Sequence, residues 1–279
     1  MNKSRTIELI ERLRGGAKYR WPYKRIRSHA FKLANKFGTY QVYSNLPKSL
    51  EVCRARFLKN NEWPKSIDDL GPPKPEDTPR YGRCNQPNYP VCYCSLYEDT
   101  ALAEINAELG KQYVISTFSL PQNMVLIPIG EFDYYRRTGE TYIGSAIPES
   151  KKPYKEALEG NDWSVVALVD AFLSDEFIMR AATNADYKIT SAFSDVLLNG
   201  DMKPSNPIDG IIYPSVAFRH GLNFAIQPEA YRSKMILVEA ETHIVEISEV
   251  LGYGIFEWQK VATIKSVNPE GFIVWEMFR

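Results

Sequence analysis

The chain has 279 residues and a mass of 31.9 kDa, which suits one large domain or two small ones. With 44% hydrophobic and 24% charged residues it can bury a core, and wholesale disorder is excluded. Lys+Arg and Asp+Glu both total 34, and a net charge of zero, taken whole, argues against a nucleic-acid binder.

That balance hides a segregation. Residues 1–50 hold 12 Lys/Arg and only two acids, Glu8 and Glu11, so the head carries +10 and the rest of the chain −10. Such a head is expected to meet the acidic body or an acidic partner. The N-terminus has charges where a signal peptide needs an apolar stretch, and no run approaches the roughly 18 apolar residues of a membrane span. Four cysteines, Cys53, Cys84, Cys92 and Cys94, are no disulfide framework. The expectation is a soluble, cytoplasmic protein.

In chain order, apolar residues at helical spacing predict a helix over 4–14, stopped by Gly15-Gly16, and a second around 27–37. Residues 40–48 read as turn-rich. Leu50, Val52, Ala55 and Phe57, with Arg54 and Arg56 between them, predict a first strand. Residues 60–90 form a long loop rich in Pro, Asp and Gly. Val91–Ser95 is a short strand with Tyr93 and Ser95 on one face and Cys92 and Cys94 on the other. Ser95-x-x-Glu98 reads as a capping box opening a helix over 96–109. Strands follow at 112–120 and 124–129, then a loop over 131–147. Helices are expected at 151–159, 164–183 and 186–199. Ile208–Tyr213, Asn223–Ile226 and segments at 235–247, 255–265 and 271–277 read as strands. Helices and strands intersperse without regular βαβ alternation, which favours α+β.

Most chemical signatures are missing. One Cys-x-Cys pair falls short of structural zinc spacing, so no metal ligand is assigned and the thiols are read as reduced and partly buried. His29, His220 and His243 lie near no nucleophile signature, and there is no Walker A loop or Gly-x-Gly-x-x-Gly after a strand. A polar and aromatic set remains: Arg54, Arg56, Arg83, Asn85, Tyr93 and Glu104. Arginine forks suit phosphates, tyrosine offers a stacking face, and a carboxylate can stabilise positive charge on a sugar ring. Taken singly, each has a plain structural reading. On a helix over 96–109, Leu102, Ile105 and Leu109 form the apolar stripe, and Glu104 falls nearly opposite, as a solvated residue would.

The stretch Tyr81-Gly82-Arg83-Cys84-Asn85 through Val91-Cys92-Tyr93-Cys94-Ser95, followed by Thr100-Ala101-Leu102-Ala103-Glu104, resembles the RES domain. The likeness extends upstream to Cys53-Arg54-Ala55-Arg56. Downstream it includes Tyr187–Ser191, Asp209–Val216 and Gly221-Leu222-Asn223-Phe224-Ala225, so that it covers roughly residues 50–231. It implies an α+β, ADP-ribosyltransferase-like mixed β core with flanking helices, over residues 50–279 with a strand-rich C-terminal extension. Residues 1–49 are then a basic, mainly helical extension.

The resemblance also implies a bacterial toxin paired with an Xre-type antitoxin, and cleavage of the nicotinamide–ribose bond of NAD⁺, here a substrate. Arg54 and Arg83 would hold the pyrophosphate, with Arg56, Asn85 and Thr190 nearby. Tyr93 would pack on the nicotinamide or its ribose, and Glu104 would stabilise the oxocarbenium-like ribose. The family serine matches either Ser191 or Ser215. Transfer of ADP-ribose to a protein or nucleic acid is the nearest alternative. A third reading is a binding module that uses Arg12, Arg14, Arg20, Lys24, Arg25 and Arg27 among Tyr19, Trp21 and Tyr23 to track nucleic acid. The plainer reading of that head is a solvated helical face or a docking surface for the acidic body.

Overall fold

A computed structural model describes residues 2–37, 42–48, 50–143, 151–160, 162–199, 207–218 and 220–278. The chain divides into two compact units, one of residues 1–47, 73–91 and 122–214, the other of residues 48–72, 92–121 and 215–279.

The first unit is mainly helical. Helix α1 (Lys3–Arg12) starts where the Asn2 side chain accepts a hydrogen bond from Arg5 N. It gives way to a widened turn over Leu13–Ala17, where Gly16 adopts φ +89. The glycine pair thus stops the helix as expected, and a single turn α2 (Lys18–Arg20) leads to α3 (Tyr23–Phe37). Leu9, Leu13, Ile26, Ala30 and Leu33 are buried, and α3 packs on α7 (Trp163–Ile178) and α8 (Lys188–Leu198). Helix α7 is apolar on nearly every side, as befits a central helix. Strands β4 (Leu126–Pro128) and β5 (Gly210–Pro214) pair in parallel in this unit.

The loop expected over 131–147 contains instead α5 (Glu131–Thr138). No local side chain caps it. Asp170, buried on α7, accepts from Gly130 N at 2.7 Å and Asp133 N at 2.9 Å, so a distant carboxylate supplies the cap. Burial pushes Asp170 up to about 7, against those two backbone donors. The neighbouring Glu131 is also buried, and accepts from the hydroxyls of Tyr43 and Tyr154 and from Tyr142 N. Helix α6 (Lys151–Glu159) packs its Tyr154 and Ala157 against Phe132 and α7.

The head docks on acids of its own unit. Arg14 pairs with Asp175 at 2.5 Å, Lys18 with Asp186 at 2.7 Å and Arg27 with Asp195 at 2.6 Å. The Tyr19 and Tyr23 hydroxyls donate to Asp186 and Asp195. Burial would raise Asp186, but Lys18, Tyr19 and Thr183 outweigh it and hold its carboxyl below the usual range. Arg12 pairs with Glu8, and Arg25 lies over the Trp21 ring. Arg14, Lys18 and Arg27 thus dock on acids of this unit, whereas Arg12 and Arg25 make their contacts within the head.

The second unit is an antiparallel sheet. Strands β1 (Glu51–Phe57), β2 (Cys92–Ser95), β3 (Gln112–Ser119), β6 (Leu222–Ile226), β8 (His243–Gly252), β9 (Ile255–Val267) and β10 (Ile273–Met277) run in the order β10-β9-β8-β3-β1-β2-β6, and β7 (Ile236–Leu237) pairs with the end of β3. The segment expected at 235–247 is thus two strands split by a turn over Glu239–Glu241, and β8 runs on to Gly252. Helix α4 (Glu98–Glu104) packs Ala101 and Leu102 on the face carrying Cys53 and Ala55. Helix α9 (Pro228–Lys234) sets Tyr231 edge-on to Phe118 of β3.

Strands β4 and β5 pair in parallel, the pairs of the second unit are antiparallel, the helices are interspersed, and helices lead at the N-terminus. The α+β class read from the sequence holds.

Candidate active site

Helix α4 decides the position of Glu104, and it is shorter than the sequence suggests. It begins at Glu98 with Tyr97 as N-cap, and Ser95 makes no capping box. It ends at Glu104, because Asn106 turns left-handed at φ 51. Ile105 and Leu109, assigned to a buried stripe, are 39% and 64% exposed, whereas Leu102 is fully buried. The helical wheel failed because the helix does not reach those two residues. Glu104 sits at the last helical position, half-buried.

Three side chains meet there. Glu104 Oε1 accepts from Ser215 Oγ at 2.6 Å and from Asn223 Nδ2 at 2.5 Å. Asn223 Oδ1 accepts from Ser95 Oγ at 2.7 Å. Ser215 opens a tight turn after β5, and its Oγ accepts from Ala217 N at 3.1 Å and Phe218 N at 3.0 Å. Its one proton is therefore left for Glu104. Glu104 Oε2 has no hydrogen bond among the described residues.

Two glycines allow this close approach. A Cβ on Gly221 would lie 2.8 Å from the Thr100 side chain, so only glycine lets the start of β6 approach α4 so closely. Gly254, at φ +78 in the β8–β9 turn, lies against the Phe218 side chain and Ala103, and a Cβ there would come within 2.5 Å of Phe218.

Strand alternation sorts the remaining candidates. Cys53 faces Ser95 in register, and Ser95 faces Asn223, so Cys53, Tyr93, Ser95 and Asn223 share the α4 face of the sheet. Arg54 and Arg56 project from the opposite face with Cys92 and Cys94, and the sheet lies between them and Glu104. The resemblance implies that Arg54 and Arg56 bind the same NAD⁺ as Tyr93 and Glu104, and the structure sets the two arginines across the sheet from Glu104. The two arginines instead hold main chain: Arg54 donates to Tyr93 O at 3.0 Å, and Arg56 donates to the carbonyls of Asp69 and Gly71. All four cysteines are buried and none is in a disulfide among the described residues, with Cys92 Sγ 3.8 Å from Cys94 Sγ.

Arg83, Asn85, Thr190 and Ser191 belong to the first unit. Arg83 is 8% exposed; it donates to Glu176 O at 3.4 Å and Met179 O at 3.2 Å, closing the C-terminal end of α7, and its guanidinium lies over the Tyr187 ring. A phosphate would have to use the N–H groups those carbonyls leave unspent. Asn85 donates to the carbonyls of Arg80 and Gln86, which shapes its own turn. Thr190 Oγ1 donates to Tyr187 O at 3.1 Å. Ser191 is fully buried in α8, and its Oγ has no hydrogen-bond partner among the described residues. Of the two candidate serines, Ser215 is the one bonded to Glu104.

A model of the RES domain matches residues 54–243, more than half of the chain. The chain belongs to the RES domain family. No curated protein and no solved structure matches it. RES domains are associated with toxin-like, NAD-related activity and with toxin–antitoxin contexts. Among the described residues of this RES protein, no helix is long and apolar enough to cross a membrane.

The sequence pattern assigns Asn223 no role. Its signal was an amide inside the apolar run Leu222-Asn223-Phe224-Ala225-Ile226, where every residue is buried. A buried amide in such a strand needs polar partners, and here these are side chains.

Proposed function

We propose that this RES protein is an enzyme that cleaves the nicotinamide–ribose bond of NAD⁺. The observation that carries this reading is Glu104, fixed through Oε1 by Ser215 and Asn223 while Oε2 is uncommitted. A carboxylate held in that way is preorganised for positive charge developing on a ribose ring. The C1′–N bond breaks, its electron pair leaves with nicotinamide, and the C1′ cation forms beside Glu104. Water then bonds to C1′ and loses a proton, giving ADP-ribose. Tyr93, on the same sheet face as Asn223, offers an aromatic surface for the nicotinamide or its ribose. NAD⁺ acts as substrate, and no metal takes part. In the toxin–antitoxin setting of the family, an Xre-type antitoxin is the proposed partner.

Purified wild type and Glu104→Ala are compared with NAD⁺ labelled in its ADP-ribose part. Turnover is expected to fall about a hundredfold or more. Equal rates would overturn the assignment. Free ADP-ribose supports hydrolysis, its phosphorylated form supports capture by phosphate, and label on macromolecules shifts the reading to ADP-ribosyl transfer.

A further inference from the structure

Asn223 is 2% exposed and Ser95 3%, yet neither side chain serves main-chain satisfaction. Both polar atoms of the Asn223 amide are bonded to side chains, Nδ2 to Glu104 and Oδ1 to Ser95. The orientation is forced. A carboxylate only accepts, so the NH₂ group must face Glu104, and Oδ1 is left to accept the Ser95 proton. Ser95 is itself set by the sheet. It lies opposite Cys53 in β1 and Asn223 in β6, and its carbonyl accepts from Cys53 Sγ at 3.4 Å.

We propose that Ser95 and Asn223 form a positioning relay that transmits the register of β1, β2 and β6 to the carboxylate plane of Glu104. Asn223 and Ser215 converge on the same oxygen, from the sheet and from the 215–218 turn respectively. Two donors on one oxygen define a plane, which a single donor does not. The relay thus sets which oxygen is offered to a ligand and in what direction. Asn223 and Ser95 touch no reacting atom, and their effect runs through Glu104.

The kinetic test rests on NAD⁺ cleavage as proposed above, and a second readout does not. In Asn223→Ala, kcat is expected to fall about tenfold or more while KM stays within about twofold, because a misdirected acting group costs rate rather than binding. Ser95→Ala keeps the Asn223 amide but loses its orienting proton, and is expected to lower kcat by a smaller factor. Independently, ¹³C relaxation at Glu104 Cγ is expected to show a more mobile side chain in both variants than in wild type. If Glu104 is as rigid in Asn223→Ala and Ser95→Ala as in wild type, the relay is wrong. If kcat falls only in proportion to the folded fraction, the relay is equally wrong. A wild-type protein without NAD⁺ turnover would refute the proposed reaction, while the relaxation data would still decide the relay.

Discussion

The Glu104 and Arg83 clusters use polar groups in opposite ways. At Glu104, side chains bond to a side chain and one carboxylate oxygen has no hydrogen bond among the described residues. At Arg83, the guanidinium donates to the main chain at the end of α7, and Ser191, one turn of α8 beyond the Tyr187 ring under that guanidinium, is sealed inside α8. Motif spacing treats these residues alike, because it counts residue types and not what their atoms bond to. A polar group satisfied by backbone holds the fold, whereas one held by other side chains and left with a free valence is arranged for something outside the fold.

The largest expected effect that sharpens this contrast is on stability. Arg83→Ala should lower the unfolding free energy by about 3 kcal/mol, the low end for two hydrogen bonds from a charged group, read by urea denaturation. Arg83→Lys should recover only part, since an ammonium cannot reproduce the fork. An Arg83→Ala protein as stable as wild type would break the contrast.

His243 gives the next effect. It is buried in β8, stacked on Trp258, with Nε2 3.3 Å from Glu98 Oε1 in a geometry that makes no hydrogen bond. Burial, with Lys260 adding to it, pushes its pKa down to about 4 from an ordinary 6.5, so the ring is neutral at pH 7 and the contact is no ion pair. The folded state resists the proton that the unfolded chain accepts. Stability is therefore fully present above about 6.5 and is lost as pH falls towards 4. Between pH 7 and 5 the loss is about 2 kcal/mol, and His243→Phe should remove it. Burial raises Glu98, which contributes with the opposite sign, so the quantity to compare is the difference between variant and wild type.

The smallest effect separates the two serines. Ser215→Ala should slow NAD⁺ cleavage about tenfold, since it frees one side of Glu104. Ser191→Ala should leave the rate within about twofold, because its Oγ has no partner to lose. The reverse result would move the acting serine to α8.

Much of this was legible in the sequence, for identifiable reasons. Gly15-Gly16 ends α1 through local backbone freedom, and the strand alternation at Val91–Ser95 is carried by residue period alone. Glu104 and Ser215 were reachable through motif likeness. Features that depend on distant chain were not. Helix α5 takes its N-terminal cap from a carboxylate on α7, so its start signal is absent locally, although Glu131 and Asp133 in its first turn and Arg136 and Arg137 in its last suit a helix. The separation of Arg54 from Tyr93 by the sheet follows from β1–β2 register, which puts Cys53 rather than Arg54 opposite Ser95. The length of α4 was misjudged because the run from Ser95 to Leu109 keeps helical apolar spacing past the point where Asn106 turns the chain.

The RES match ends at residue 243, where β8 begins, yet Gly254 presses on Phe218 and Ala103. The long β8–β9 ribbon therefore works as a prop, its tip bearing on the turn whose amide groups occupy the Ser215 oxygen. A chain cut where the family match stops would keep Glu104, Ser215 and Asn223 and lose the brace beneath the Ser215 turn, so the part of this protein that shapes the site is larger than the part the family match covers.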